Sequence, residues 1–361
     1  MIDPRRAGVS EEQWREATAS CHELRVARVV TETDDAMSIV LEIPDALRET
    51  FRYRAGQFLS FKVPFEGQVL VRSYSLSSSP DTDTEHKVTV KRVDDGRISN
   101  LFNDEVREGS RLMVVPPAGF FVLEPGASRD VTLFSGGSGI TPCISILKSA
   151  LHTTGRRIQL LYANRDARSI IFREELESLS RKFPDRLALH HSLDDVQGFV
   201  TADRVAKQVA DALDQDFYLC GPGAFMDTVE QALLGLGVAR ARIHIERFVS
   251  PPDPAARPAE AAPAEGAEAA PSTIAILLDG ERHEIAYEAG ERVLAAVRRA
   301  GLEPPFSCEE GYCSCCMAKL RKGEVVMAAN DCLTPELVDE GWVLTCQSRC
   351  VSGDIEIEYP D

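Results

Sequence analysis

Between Leu24 and Val115 short apolar runs alternate with turn-forming residues. Leu24 to Ile43, Gln57 to Val63, Val69 to Leu76, Lys87 to Val93 and Arg111 to Val115 are rich in Val, Ile, Leu and Phe. Such runs predict an antiparallel β-barrel or sandwich. From Asp130 the pattern changes: DVTLF, GGSGITP, ISILKSAL and IQLLYAN read as strand, Gly-rich turn, helix and strand, and DFYLC before GPGAFM repeats the strand and turn. That alternation predicts an α/β domain on a parallel sheet. Further on, Thr273 to Leu278 and Glu281 to Ala286 flank Asp279-Gly280 as a hairpin would, and a helix is expected near Val293 to Arg299, before a cysteine-rich loop.

A clear boundary interrupts this pattern. Pro251 to Pro271 holds six prolines and nine alanines in 21 residues and has no apolar period, so it reads as a tether. If flexible it has a root-mean-square reach of roughly 25 Å, and proline stiffens it toward greater extension. At 361 residues the chain exceeds what one core usually supports. The expected organisation is an N-terminal extension (1–20), a β-barrel domain (21–126), an α/β domain (127–250), the linker (251–271) and a small α+β domain (272–361). Residues 1–20 read as either a disordered extension or a short amphipathic helix. They contain no apolar secretory core, and no run of about 18 apolar residues occurs, so a cytoplasmic protein without an integral membrane segment is expected.

The formal charge of −17 disfavours nucleic-acid binding, since no basic stripe opposes repulsion from phosphate. Acidity is concentrated late: residues 272–361 hold 17 Asp and Glu against 8 Lys and Arg. That face is either a solvated surface or a docking surface for an electropositive partner.

The ten cysteines change the picture most. Cys308, Cys313, Cys316 and, after 29 intervening residues, Cys346 give C-x4-C-x2-C…C, the ligand spacing of a plant-type [2Fe-2S] cluster. Three thiolates on one short loop can wrap one edge of a cluster, with Gly311 free to take backbone angles that a Cβ resists. Cys21, Cys143, Cys220, Cys315, Cys332 and Cys350 show no disulfide framework, which fits a reducing compartment.

Two Gly-rich turns follow strands. Gly136, Gly137, Ser138, Gly139, Ile140, Thr141 and Pro142 precede a helix, where small residues let phosphate approach backbone N–H groups. Pro142 stands where G-x-G-x-x-G has its third glycine, and Asn164 and Arg165 stand where a ribose-binding acid is expected. The second turn is Cys220, Gly221, Pro222, Gly223. In the barrel region Arg72, Ser73, Tyr74 and Ser75 end a strand: an Arg can neutralise a pyrophosphate, a Tyr can stack on a flavin and a Ser can hydrogen-bond it. Val90, Lys91 and Arg92, followed by Gly96, Arg97, Ile98 and Ser99 before a helix, suggest another phosphate-cradling terminus.

RSYS, GGSGITP and CGPGAFM in this order resemble the ferredoxin-NADP reductase superfamily, and a plant-type ferredoxin behind it resembles the reductase components of multicomponent oxygenases. YANRDARSIIF (Tyr162 to Phe172), HIERF (His244 to Phe248) and MAANDCLTPELVDEGWVLTCQSR resemble the reductase component of 3-ketosteroid 9α-hydroxylases. The resemblance covers Leu24 to Tyr359 and implies a β-grasp fold for the last domain. It implies an FAD site at Arg72, Tyr74 and Ser75, completed by Val90 to Arg92, Arg97 to Ser99 and Thr141. It also implies that Ser75, Cys220 and Glu246 act where nicotinamide meets flavin, with Phe248 over the flavin's other face. The expected activity is electron transfer from NAD(P)H through FAD and [2Fe-2S] to a terminal oxygenase, of Rieske type in the steroid system. One departure stands in the cluster loop: Ser314 and Cys315 replace a glycine and a small residue, and bulk there bears on N–H···S hydrogen bonds to the cluster. Cys315 is a rival ligand only if the x2 spacing to Cys316 fails. Cys332 and Cys350 read as bystanders.

Alternatives remain. The oxygenase served could be an aromatic-ring hydroxylating enzyme or a phenylacetyl-CoA epoxygenase; FMN could replace FAD; and from another class, the chain could be an iron-sulfur redox-sensing regulator. NADH is expected as donor from the resemblance, while Arg165, Arg168 or Arg173 would suit the 2′-phosphate of NADPH.

Overall fold

The computed structural model describes residues 3–124, 126–248 and 272–360, and the predicted tether lies outside them. The chain forms two compact units, residues 1–248 and 249–361. In the first, a short helix α1 (Glu11–Ala17) carries a capping box between Ser10 and Gln13, and its last carbonyl accepts the Lys62 ammonium at 2.6 Å. The N-terminal segment is therefore the short helix, seated on the barrel.

Six strands follow, interrupted by one helix: β1 (His22–Thr33), β2 (Ala36–Glu42), β3 (Phe58–Phe65), β4 (Gln68–Ser75), β5 (His86–Lys91), α2 (Arg97–Glu105) and β6 (Arg111–Ala118). The run Leu24 to Ile43 is two strands, because Asp34 and Asp35 turn the chain between them. The antiparallel order is β4-β3-β6-β1-β2-β5, and a bridge between Leu76 and Val88 joins the ends into a barrel. Phe61, Phe102, Leu24, Ile39, Leu59 and Leu76 fill it, each essentially without exposure. Burying one such side chain contributes roughly 1.5–3 kcal/mol.

The α/β domain runs β7 (Val131–Gly136), α3 (Ile140–Thr153), β8 (Ile158–Asn164), α4 (Arg173–Lys182), β9 (Leu187–Leu193), α5 (Asp194–Gln197), α6 (Ala202–Gln208), β10 (Asp216–Cys220), α7 (Gly223–Gly235) and β11 (Ile243–Glu246). Its sheet is parallel, in the order β11-β10-β7-β8-β9. Both faces are covered: α3 and α4 share a core with Leu133, Leu160 and Tyr162, while α6 and α7 pack on Phe134, Leu161 and Phe217. Double coverage explains the near-continuous apolar strands.

Barrel and α/β domain are joined by polar contacts along α3. Ser145 donates to the Ser78 carbonyl at 2.6 Å, Ser79 and Ser149 hydroxyls lie 2.7 Å apart, and Lys148 reaches Asp83 at 2.5 Å and Glu175 at 2.7 Å. Lys148 is 7% exposed while Asp83 and Glu175 keep 26% and 32% of their side-chain surface, so the ammonium is buried and the carboxylates of this triad are half-buried. Its opposite charges keep the ammonium protonated against burial, and its pKa is raised.

The second unit contains β12 (Thr273–Leu278), β13 (Glu281–Ala286), α8 (Val293–Arg299), β14 (Met317–Lys322), β15 (Val325–Met327), α9 (Pro335–Asp339), β16 (Trp342–Leu344), β17 (Ser348–Cys350) and β18 (Glu356–Glu358). The main sheet has the order β13-β12-β18-β14-β16, with β12 and β18 parallel and the other pairs antiparallel. Asp279 and Gly280 both take positive φ (51° and 73°), which a two-residue hairpin turn requires. Ile274, Ile276, Val293, Val297 and Ile357 close the core against α8.

Candidate functional site

The flavin-region residues lie on two parts of the barrel. Arg72, Ser73, Tyr74 and Ser75 form the end of edge strand β4, paired with Phe61, Ser60, Leu59 and Phe58 of β3. The Tyr74 ring packs 5.9 Å from Phe61 and 5.7 Å from Phe102, and burial raises its phenol pKa. Ser73 shares a 2.7 Å hydrogen bond with Ser60. Val90 and Ile98 are core side chains, so only their backbone can face a ligand. Lys91 lies 3.6 Å from Asp35, Arg92 pairs with Asp104 at 2.6 Å, and Arg97 lies over the Phe65 ring at 5.9 Å. Ser99 at the start of α2 accepts the Val93 N–H.

At the carboxyl ends of the parallel strands the two predicted Gly turns meet. A Cβ on Gly139 would stand 2.1 Å from the Cys220 carbonyl oxygen and 2.7 Å from the Gly221 nitrogen, and one on Gly136 would stand 2.7 Å from Pro222 Cδ. Only glycine permits this backbone approach. Thr141 donates to the Ser138 carbonyl and Tyr162 to that of Gly137, fixing the loop between them. Such a cradle of small residues beside a helix start fits a dinucleotide pyrophosphate. Asn164, 4% exposed at the end of β8, hydrogen-bonds with neither amide atom, and Arg165 faces Asp35 and Asp166 at 4.0 and 3.5 Å. Asp194 and Asp195, which no motif singles out, stand beside it: the Asp195 N–H donates to the Arg165 carbonyl at 3.1 Å. Two acids thus stand after β9 beside the end of β8, a proximity that only the sheet order reveals.

Strand register aligns three more groups. Cys220 at the end of β10 faces Ser135 of β7 on one side and Glu246 of β11 on the other. Burial, with Cys143 and Glu246 nearby, raises the Cys220 thiol pKa well above its usual value, leaving a neutral thiol. Glu246 is lifted by desolvation to about 8. Ser75 lies in the other sheet of the same unit, and Phe248 follows β11 with 46% of its surface exposed.

In the second unit the four ligand-spaced cysteines lie close together. The Cys308 thiol neighbours that of Cys313 and the Cys316 thiol that of Cys346, while Cys315 also approaches Cys313. Among the described residues no three His, Cys, Asp or Glu side chains converge as around a single ion. Four thiols gathered in this way suit a binuclear [2Fe-2S] cluster. Backbone donors already face the sulfurs: Glu310 N–H to Cys308 at 3.3 Å, Cys308 N–H to Cys313 at 3.4 Å, and Gly311 N–H to Cys346. Ser314 takes a left-handed φ of 54°, the reason a glycine suits that position. Its hydroxyl bonds the Cys313 carbonyl at 2.7 Å, and its N–H meets the Cys332 sulfur. Cys332 also reaches the Gly311 carbonyl at 3.4 Å, so this expected bystander braces the loop. Cys315 is 1% exposed with its thiol against Cys313, and Cys350 lies in the domain core.

Comparison with known proteins agrees with this division. The family model "Oxidoreductase FAD-binding domain" matches residues 23–122, "Oxidoreductase NAD-binding domain" residues 133–231, and "2Fe-2S iron-sulfur cluster binding domain" residues 276–351. The ferredoxin reductase component of 3-ketosteroid-9-alpha-monooxygenase from Rhodococcus rhodochrous is 45% identical over 93% of this chain and 96% of its own. One component of the 1,2-phenylacetyl-CoA epoxidase of Escherichia coli K12 is 33% identical over 94% of this chain and 97% of its own. Phthalate dioxygenase reductase, a modular structure for electron transfer from pyridine nucleotides to [2Fe-2S], superposes with a TM-score of 0.58 at 26% identity, over 95% of this chain and 99% of that one. No helix among the described residues is long and apolar enough to cross a membrane. The chain belongs to the family of the ferredoxin reductase components of 3-ketosteroid-9-alpha-monooxygenases, oxidoreductases that carry electrons from NAD(P)H through FAD to a [2Fe-2S] cluster.

Proposed function

We propose that this chain delivers electrons singly to a separate terminal oxygenase that hydroxylates 3-ketosteroids at the 9α position. The observation that carries the reading is likeness at 45% identity running through barrel, nucleotide and cluster domains alike. A bound flavin would supply the change from two-electron hydride chemistry to single-electron transfer, and a [2Fe-2S] cluster held by the four cysteines a one-electron carrier. The chain's own residues orient and insulate these groups. Arg72 offers positive charge to the flavin pyrophosphate, Tyr74 and Ser75 its ring contacts, and Val90 to Arg92, Arg97 to Ser99 and Thr141 the remaining cradle. Gly136 to Gly139 and Gly221 to Gly223 present backbone N–H groups to the dinucleotide, with Asn164 and Arg165 toward its adenosine end. Cys220 contributes a small neutral thiol beside the transfer point, Glu246 a carboxyl that holds its proton at neutral pH, and Phe248 an aromatic face. Cys308, Cys313, Cys316 and Cys346 hold the cluster.

NADH is the favoured donor. Asp194 and Asp195 beside Arg165 would repel a 2′-phosphate, and Arg165 is already turned toward Asp35 and Asp166. We assign the domains as 21–126, 127–250 and 272–361 around the 251–271 linker, and the compartment as cytoplasmic, where the thiols stay reduced. Reconstitution tests the reading. With NADH and this chain, the oxygenase component of a 3-ketosteroid 9α-monooxygenase should turn over, and the phenylacetyl-CoA epoxidase oxygenase should not. The reverse outcome would contradict the steroid assignment. Cys346→Ser should leave flavin reduction nearly intact and stop electron delivery to one-electron acceptors.

A further inference from the structure

Gln347 directly follows Cys346 and is 2% exposed. Its side-chain Nε2 lies 2.9 Å from the Glu309 carbonyl oxygen and 3.5 Å from the Cys346 sulfur. The atom facing Glu309 is the nitrogen, because a carbonyl oxygen only accepts. Both amide hydrogens are thereby used. One side chain spans the loop that carries Cys308, Cys313 and Cys316 and the segment that brings Cys346 to it. Gly311, at φ +88°, is fitted beneath: a Cβ there would stand 3.1 Å from Gln347 Cγ and 3.1 Å from the Ala329 carbonyl oxygen.

We propose that Gln347 is a positioning residue for the [2Fe-2S] site, which locks the Cys346 segment to the ligand loop and, by donating to the Cys346 sulfur, raises the cluster's reduction potential. An added electron puts negative charge on the sulfurs, and a fixed N–H donor favours that reduced form more than the oxidised one. In a buried setting the donor is not replaced by water when it is lost. The inference rests on Cys346 as a ligand.

The test uses the full-length holoprotein and a potentiometric titration followed by the electron paramagnetic resonance signal of the reduced cluster. Gln347→Met keeps the volume and removes both donors. It should shift the one-electron reduction equilibrium about tenfold toward the oxidised form, about 59 mV, and speed iron loss to a chelator severalfold, while flavin reduction by NADH is unchanged. Gln347→Asn adds a readout that packing alone would not move: it keeps a neutral amide donor on a shorter arm that cannot span both the Glu309 carbonyl and the Cys346 sulfur, so its midpoint should fall below that of wild type. Should Gln347→Met fail to assemble a cluster, the Gln347→Asn midpoint is read in its place. Wild-type potentials in the variants that assemble a cluster would overturn the proposal. A Cys346→Ala variant with a full cluster spectrum would instead overturn the ligand assignment beneath it.

Discussion

Glu246→Gln isolates the most perturbed carboxyl beside the strand-end cysteine. Desolvation raises Glu246 from 4.5 to about 8. Between pH 4.5 and about 8 the folded chain therefore holds a proton that the unfolded chain has already released. A raised carboxyl favours the folded state fully below the unfolded pKa, and that contribution is lost as pH rises through the folded pKa. The 3.5-unit raise corresponds to on the order of 5 kcal/mol. The side chain keeps partial exposure, which halves this to about 2–3 kcal/mol once solvent screening is allowed for. Glutamine is neutral throughout, so the variant should gain that amount relative to wild type as pH rises from 4.5 to about 8, of which a little over half, about 1–2 kcal/mol, appears between pH 6 and pH 9. Denaturant titrations followed by flavin release, at pH 6, 7.5 and 9, read the difference directly. In stopped flow, wild-type flavin reduction by NADH should break near pH 8 and the variant's should not. Parallel stability curves for the two proteins would rule out a buried acid at this position.

Two further substitutions test the frame around the site. Lys148→Met leaves Asp83 and Glu175 without their shared cation, though Lys87 stays 3.6 Å from Glu175, and because both carboxylates are half-buried it should cost about 1–3 kcal/mol in denaturant titration; an unchanged stability would mean the ammonium contributes nothing at this contact. Gly139→Ala drives a methyl into the Cys220 carbonyl at 2.1 Å and should cost about 1–3 kcal/mol or more with weakened NADH binding in a fluorescence titration, whereas Gly155→Ala, with nothing within 4 Å, should leave both unchanged.

Local features were legible because their causes are local. The Asp279-Gly280 turn, the helix at Val293–Arg299, the GGSGITP loop and the cysteine spacing each depend on residues close together in the chain. What the sequence hid depends on long-range pairing. Lys148 meets Asp83 across 65 positions, Cys220 finds Ser135 and Glu246 only through strand register, and Asp195 reaches Arg165 because β9 borders β8. Ser314 looked like a disturbance of the cluster loop; its left-handed φ shows a glycine position held by a serine whose hydroxyl bonds the backbone. Gln347 stands inside the TCQSR segment that carries the family resemblance, but its contact was hidden, since its partner Glu309 lies 38 positions away.

The central claim is that one chain receives electrons from a nicotinamide at its flavin and passes them to its own cluster. Anaerobic visible spectra recorded during stepwise addition of NADH, and separately NADPH, test it most directly. The account predicts that NADH bleaches both flavin and iron-sulfur bands at far lower concentration than NADPH; bleaching of the flavin bands alone would contradict it.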